Sequence, residues 1–265
     1  MFILLRELRS NRRSLLIWML ALAALNLFVI SLYPTFAGDA EQMEEFMTMF
    51  PEEFMRIFGM DRLSMADAIG FYAVEAYFMV ILFGSVFAAM LAATMLAKEE
   101  DEKTIEFLLA KPVTRSRVVG EKLLAIGAIL LLFNLGIGLV SYISFEIWVD
   151  DFSRLELFRL LIAPLFAQLA FAGIAFLLSL FFVRKKSAYS AGIGLVIGLY
   201  FLHVVSLLAE RAEFLRYLTP FWYMNASDIV AEGSLPPWRL LTLVAVAIIT
   251  AGLTWYLYRR RDITI

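Results

Sequence analysis

Groups able to do acid–base, nucleophilic or metal chemistry are scarce in this chain. There is one histidine, His203, and no cysteine. A His-rich metal or catalytic cluster, a disulfide and a Cys-based metal site are therefore excluded. No H-E-x-x-H occurs, and no G-x-x-x-x-G-K-[ST] phosphate loop, so the chain carries neither a zinc-protease signature nor a P-loop for ATP. The glycine-rich "GIGLVIG" from Gly192 to Gly198 lies inside an apolar run. Gly194 and Gly198 have the G-x-x-x-G spacing that lets two membrane helices approach, and they are read as a packing face rather than a nucleotide loop. Glu75 and His203 are the titratable groups that stand out within apolar stretches. Asn134 adds a polar group, and with these two it forms the candidate pathway set. Asn26, Asn134 and Gln168 either bond across helices or line a polar path. Outer carboxylates such as Asp67 or Glu75 are the only handle for a lipid-acting membrane enzyme, and no nucleophile–base pair accompanies them.

The elements that would hold these groups follow from composition. Of the 265 residues, 62% are hydrophobic, and the mean hydropathy is +0.81. A soluble domain carries about 45–50% apolar residues. The excess cannot hide in one water-soluble core, so the expected class is an all-α polytopic membrane protein. About 20 apolar residues cross a bilayer as a helix. Six spans are expected, at about 14–33, 71–96, 123–143, 157–183, 188–208 and 238–258, the first ending before Pro34. The first apolar run is too long for the core of a signal peptide and is expected to be retained.

Lys and Arg divide unevenly among the loops. Sixteen fall on the side of the termini, including Arg6, Arg9, Arg12, Arg13, Lys98, Lys111, Arg115 and Lys122, and seven on the other. The positive-inside rule then places both termini in the cytoplasm. Between the first two spans, Met43, Phe46, Met47 and Phe50, then Phe54, Ile57 and Phe58 beyond Pro51, form two apolar helical faces within 34–70. These read as amphipathic outer helices, either a lid or surface ornament, or a vestibule for apolar cargo.

The most charged stretch, "AKEEDEKTIEFLLAKPVTRSRVVGEKLLA" from Ala97 to Ala125, lies between the second and third spans. Ile105, Leu108 and Leu109 give a narrow apolar face at i, i+3 and i+4. Pro112 disfavours helix at Lys111 and stops it. Thr114 can cap a second helix from about Arg115. The expected result is a bent helix–turn–helix on the cytoplasmic face, either packed under its own spans or docking a partner.

This stretch resembles the segment between the second and third spans of ABC-2 type permeases, the membrane subunits of ABC transporters. The resemblance rests on Glu99, Glu100, Thr104, Leu108, Leu109, Lys111, Pro112, Val113 and Arg115; Lys103 stands where the family often has Gly. "LLRELRSNRRSLLIWML" resembles the family's N-terminal elbow helix, here 1–13, and "FLRYLTPFWYMNASDIV" resembles its outer segment of short helices, with Pro220 and Asp228 in place.

The resemblance implies a transporter of two membrane subunits and two separate ATPase subunits, which hold the ATP and Mg²⁺. The second membrane subunit would be another copy of this chain or a related permease. Residues 97–122 would contain the coupling helix. Glu99, Glu100, Thr104, Ile105, Leu108, Leu109, Lys111, Pro112, Val113, Thr114 and Arg115 would form the ATPase docking surface. It further implies a prokaryotic plasma membrane, so the Asn225–Ser227 sequon is discounted, and no nucleic-acid partner. Export is the expected direction. An importer or sensor-type permease, a membrane scaffold and a lipid-acting enzyme are the alternatives.

Overall fold

The computed structural model describes residues 2–37, 49–101 and 114–260. These residues contain no strand. Six helices are long and apolar enough to cross a membrane: α1 (Phe2–Ala37), α3 (Ala68–Asp101), α4 (Arg115–Trp148), α5 (Arg154–Leu178, continued by a 3-10 turn Ser179–Phe181), α6 (Lys185–Leu208) and α9 (Pro237–Arg260). The chain is an all-α, multi-pass membrane protein. Three short helices cover the end away from the termini: α2 (Glu52–Phe58), α7 (Pro220–Tyr223) and α8 (Ala226–Ala231), with a 3-10 stretch at Glu210–Leu218.

Local signals set most helix starts. Thr114, at the N-cap of α4, accepts from the Arg117 N–H at 3.3 Å, as its sequence position predicts. Asp67 caps α3 through Gly70 N–H at 3.0 Å, which gives this carboxylate a structural role. Ser153 caps α5, and Asn225 caps α8. Helix α2 ends at Gly59, whose φ of 74° lies in the left-handed region that glycine enters without strain.

One expected boundary is wrong. The first span does not stop before Pro34: α1 is a single helix from Phe2, with no break at residue 13, and it runs through Pro34 to Ala37. A proline so near a helix end forfeits few internal hydrogen bonds. Packing then holds the last turn. Tyr33 and Phe36 lie 5.7 and 5.4 Å from the Phe71 ring, and the Tyr33 hydroxyl donates to Ala66 O at 2.9 Å.

Helix α3 is the most enclosed of the six and α9 the least. It packs on α5 and α6, while α1 packs on α4 and α9 on α5. Lipid is as apolar as leucine, so close approach of small residues replaces the hydrophobic drive. Ala88, Ala89, Ala92 and Ala93 of α3 and Ala163, Ala167 and Ala170 of α5 are all buried.

Within this subunit, the close approach on α6 is not made at Gly194 and Gly198. Gly194 and Gly198 face open space in this subunit. The packing glycine is their neighbour Gly192, where an added Cβ would lie 2.9 Å from Ala89 O and 3.3 Å from the Ala93 methyl. The helix is rotated so that Gly192, Val196 and His203 turn inward.

Across α4, two hydrogen bonds to side-chain amides lock helices together. Asn134 Nδ2 donates to Gln168 Oε1 of α5 at 2.6 Å, and Ser141 Oγ donates to Asn26 Oδ1 of α1 at 3.1 Å. Asn26, Asn134 and Gln168 thus bond across helices.

Gly192→Leu should therefore destabilise the protein by about 1–3 kcal/mol through overpacking against a backbone that cannot yield. Gly194→Leu should be tolerated in the isolated subunit. Thermal unfolding of the two variants in detergent checks this; equal melting temperatures would refute the assigned packing.

Candidate functional site: a charge-locked root beneath the helix bundle

Helix α3 leaves the apolar core at Lys98 and Glu99, and α4 enters it through Glu121 and Lys122. Residues 102–113 lie between them, outside the described residues. Thr104, Ile105, Leu108, Leu109, Lys111, Pro112 and Val113 all fall there. What the structure describes is the root of that segment, where both strands of the connection meet the N-terminal helix.

Lys122 is wholly buried. Its Nζ donates to Glu7 Oε1 at 3.0 Å, to Glu99 Oε1 at 3.0 Å and to the Met95 carbonyl at 2.6 Å. Three contacts use all three ammonium protons. Lys98 donates to the other oxygen of Glu7. Arg6 stands 3.9 Å from Glu99. The inner quartet of Glu7, Glu99, Lys98 and Lys122 is thus formally neutral. That balance allows four ionised groups to lie out of water, because an unmatched buried charge costs several kcal/mol.

A second device fixes the start of α1. Glu121 Oε2 accepts from the backbone N–H groups of Ile3 and Leu4 at 2.9 and 3.1 Å, and its Oε1 accepts from Arg117 Nε at 2.9 Å. The first N–H groups of a helix have no partner inside it and attract a carboxylate. Here that carboxylate comes from a residue more than a hundred positions away. Asp101 does the same for α6, accepting from Lys185 N–H at 3.2 Å. Four helices are joined by charge around the base of residues 102–113: α1, α3, α4 and α6.

Four predicted docking residues lie within the described chain. Glu99 turns inward, is only 2% exposed and is held by Lys122. Its placement is that of an anchor inside the subunit, not of a group presented to a partner. Glu100 is half-buried on the last turn of α3. Thr114 is exposed and caps α4, and Arg115 is that helix's first residue.

The structure does not bring the candidate pathway residues together. His203 is buried beside Phe221, with ring centroids 6.2 Å apart. It lines a small cavity of about 60 Å³ with Tyr77, Tyr200 and Ser227, and its Nδ1 has no hydrogen-bond partner there. Asn134 borders a separate apolar groove of about 570 Å³ between α4 and α5. Both of its amide protons are engaged, by Leu130 O and Gln168 Oε1. Glu75 lines neither space. It sits half-buried on a π-turn, Ala73–Tyr77, inside α3.

Of the expected outer helices, the second is present as α2, and Met43, Phe46 and Met47 of the first lie outside the described residues. Helix α2 acts as a lid: Phe58 stands edge-on to Phe78 of α3 at 5.4 Å. It also meets α8, where Ser227 Oγ donates to Gly59 O at 3.5 Å.

Sequence reasoning missed the inward role of Glu7 and Lys122. A signal was present. Glu7 is the one acidic residue among five arginine and asparagine neighbours in "RELRSNRR", and Lys122 is a cation placed against the start of an apolar span.

The profile of the family described as ABC-2 family transporter protein matches residues 1–263. The chain belongs to that family and is a transmembrane subunit of an ABC transporter. No curated protein matches it.

Removing one partner of a buried ion pair leaves the other uncompensated, at about 3–5 kcal/mol. Lys122→Ala should therefore lower the thermal stability of the purified subunit steeply. Adding Glu7→Gln and Glu99→Gln to Lys122→Met should recover much of the loss. A triple variant no more stable than Lys122→Ala would show that the quartet is not held together by charge.

Proposed function

We propose that this chain is the membrane half of an exporter driven by separate ATPase subunits, two per complex, which bind the ATP and Mg²⁺. Residues 97–122 form the coupling element, and both termini lie in the cytoplasm of a prokaryotic cell. A second permease, either another copy or a relative, completes the pathway. The observation that carries this reading is the charge-locked root. The two strands that frame residues 102–113 are tied to each other and to α1 through Lys122, Glu7 and Glu99. A force applied to the segment would reach α1, α3 and α4 as one body instead of bending a loop.

The ATPase can shift the permease only if its contacts differ between nucleotide states. In this mechanism the apolar face of Ile105, Leu108 and Leu109 enters a groove on the ATPase. Closure of the ATPase pair presses that face upward. Helix α3 transmits the displacement, since its 34 residues, at about 1.5 Å each, cross the whole layer. At its far end the Tyr77 hydroxyl donates to Met224 O, between α7 and α8, at 2.6 Å, and Phe78 meets Phe58 of the α2 lid, so motion of α3 would reach these short helices.

Leu108→Arg places a charge in that groove. It should weaken ATPase binding by about tenfold or more, because an unpaired charge in an apolar site costs several kcal/mol. The test is capture of the full chain from mild-detergent extracts of its native membranes, with bound proteins identified by mass spectrometry. A P-loop ATPase recovered with the native chain and lost with Leu108→Arg is the expected result. Undiminished recovery with the variant would overturn the docking assignment, and no ATPase on intact native protein would overturn the function.

A further inference from the structure

The end opposite the termini holds a second concentration of charge, and the coupling mechanism makes no use of it. A pocket of about 470 Å³ there is lined by Arg56, Arg62, Arg216 and Arg239, with Asp228, Glu210 and Glu213. Four cations face three carboxylates in the lining, and Glu232, just outside it, pairs with Arg239 and brings the formal charge to balance. The volume falls within the range of roughly 300–1,000 Å³ usual for small-molecule sites.

The arginines are not fully satisfied by the acids. Arg239 is nine-tenths buried; it bonds Asp228 at 2.8 Å and Glu232 at 3.3 Å, yet its Nε is buried without a partner. Trp222 and Trp238 hold its guanidinium at 5.0 and 5.5 Å from their ring centroids, which fixes its plane. Arg216 pairs with Glu213 and donates to the Tyr217 hydroxyl, and its Nε is likewise buried without a partner. Arg62 bonds Asp228 at 2.5 Å. Arg56 reaches in from α2, is exposed, and forms no ion pair among the described residues. Guanidinium groups with unspent N–H donors thus converge on one space from α2, from the 3-10 stretch and from α9.

We propose that this pocket binds a phosphate group, and that the phosphate is the headgroup of an anionic phospholipid. Arginine's planar fork matches phosphate oxygens in a bidentate manner, and such charge-assisted bonds are the strong ones. The setting favours a lipid source. Tryptophans mark the headgroup level of a bilayer, and Trp222 and Trp238 stand at this pocket. Leu208 of the lining and Trp238 against Arg239 are exposed apolar groups that acyl chains can cover. The bound lipid would brace α8 against α9, since Asp228 of α8 and Arg239 of α9 already meet there.

Native mass spectrometry of the full chain in neutral detergent tests this without any ATPase, so its outcome is independent of the coupling mechanism. Phosphatidate should bind one per chain and in preference to phosphatidylcholine. Arg56→Glu, at an exposed position whose side chain has no hydrogen bond or ion pair among the described residues, should weaken that binding by about tenfold, the value of one charge-assisted hydrogen bond. Arg216→Gln should act in the same direction. Arg211→Glu, exposed but outside the lining, should leave it unchanged. Displacement of phosphatidate by millimolar inorganic phosphate would support the phosphate site and assign it to a free anion; persistence would assign it to the lipid. Equal phosphatidate binding by the native chain and Arg56→Glu would overturn the proposal, as would an equal loss with Arg211→Glu.

Discussion

A lysine with no water around it must keep its counter-charges beside it, and much of this structure follows from that demand at Lys122. Its two carboxylate partners come from α1 and α3, so the three segments cannot assemble separately and leave the ammonium satisfied. Such buried pairs contribute little net stability relative to an apolar core, but a mismatched arrangement is heavily penalised. The quartet therefore acts chiefly as a register. It sets how far α1 slides along α4 and where α3 ends, and Glu121 and Asp101 extend the same control to the first turns of α1 and α6.

The middle of the bundle obeys a different constraint. Lipid tails offer no hydrophobic drive between helices, so contact depends on small side chains and on amides that would be costly to leave unpaired. The alanine faces of α3 and α5, Gly192 of α6 and the Asn134–Gln168 pair supply both. At the far end charge takes over again, with Asp228 bridging Arg62 and Arg239. The subunit is pinned by ion pairs at its two wet ends and by close packing between them. Helix α3 joins the two ends, from the quartet at Lys98 and Glu99 to the lid at Tyr77 and Phe78.

Chain order and side-chain chemistry alone determined six spans, the all-α class, the cap at Thr114 and the family resemblance of residues 97–125. These features depend on local quantities: apolar run length against the rise of a helix, and the donor needs of a first turn. Tertiary structure decided the rest. Pro34 has the chemistry of a helix terminator, yet rings from α3 hold the turn that contains it. Gly194 and Gly198 have the packing spacing, but the rotation of α6 is set by its contact with α3, which selects Gly192. Glu99 belongs to an acidic run that reads as solvated, and it is drawn inward by a lysine twenty-three positions later. A one-dimensional pattern states which groups need partners. Which partner each one meets depends on how distant helices rotate and slide against one another, and only the folded bundle specifies that.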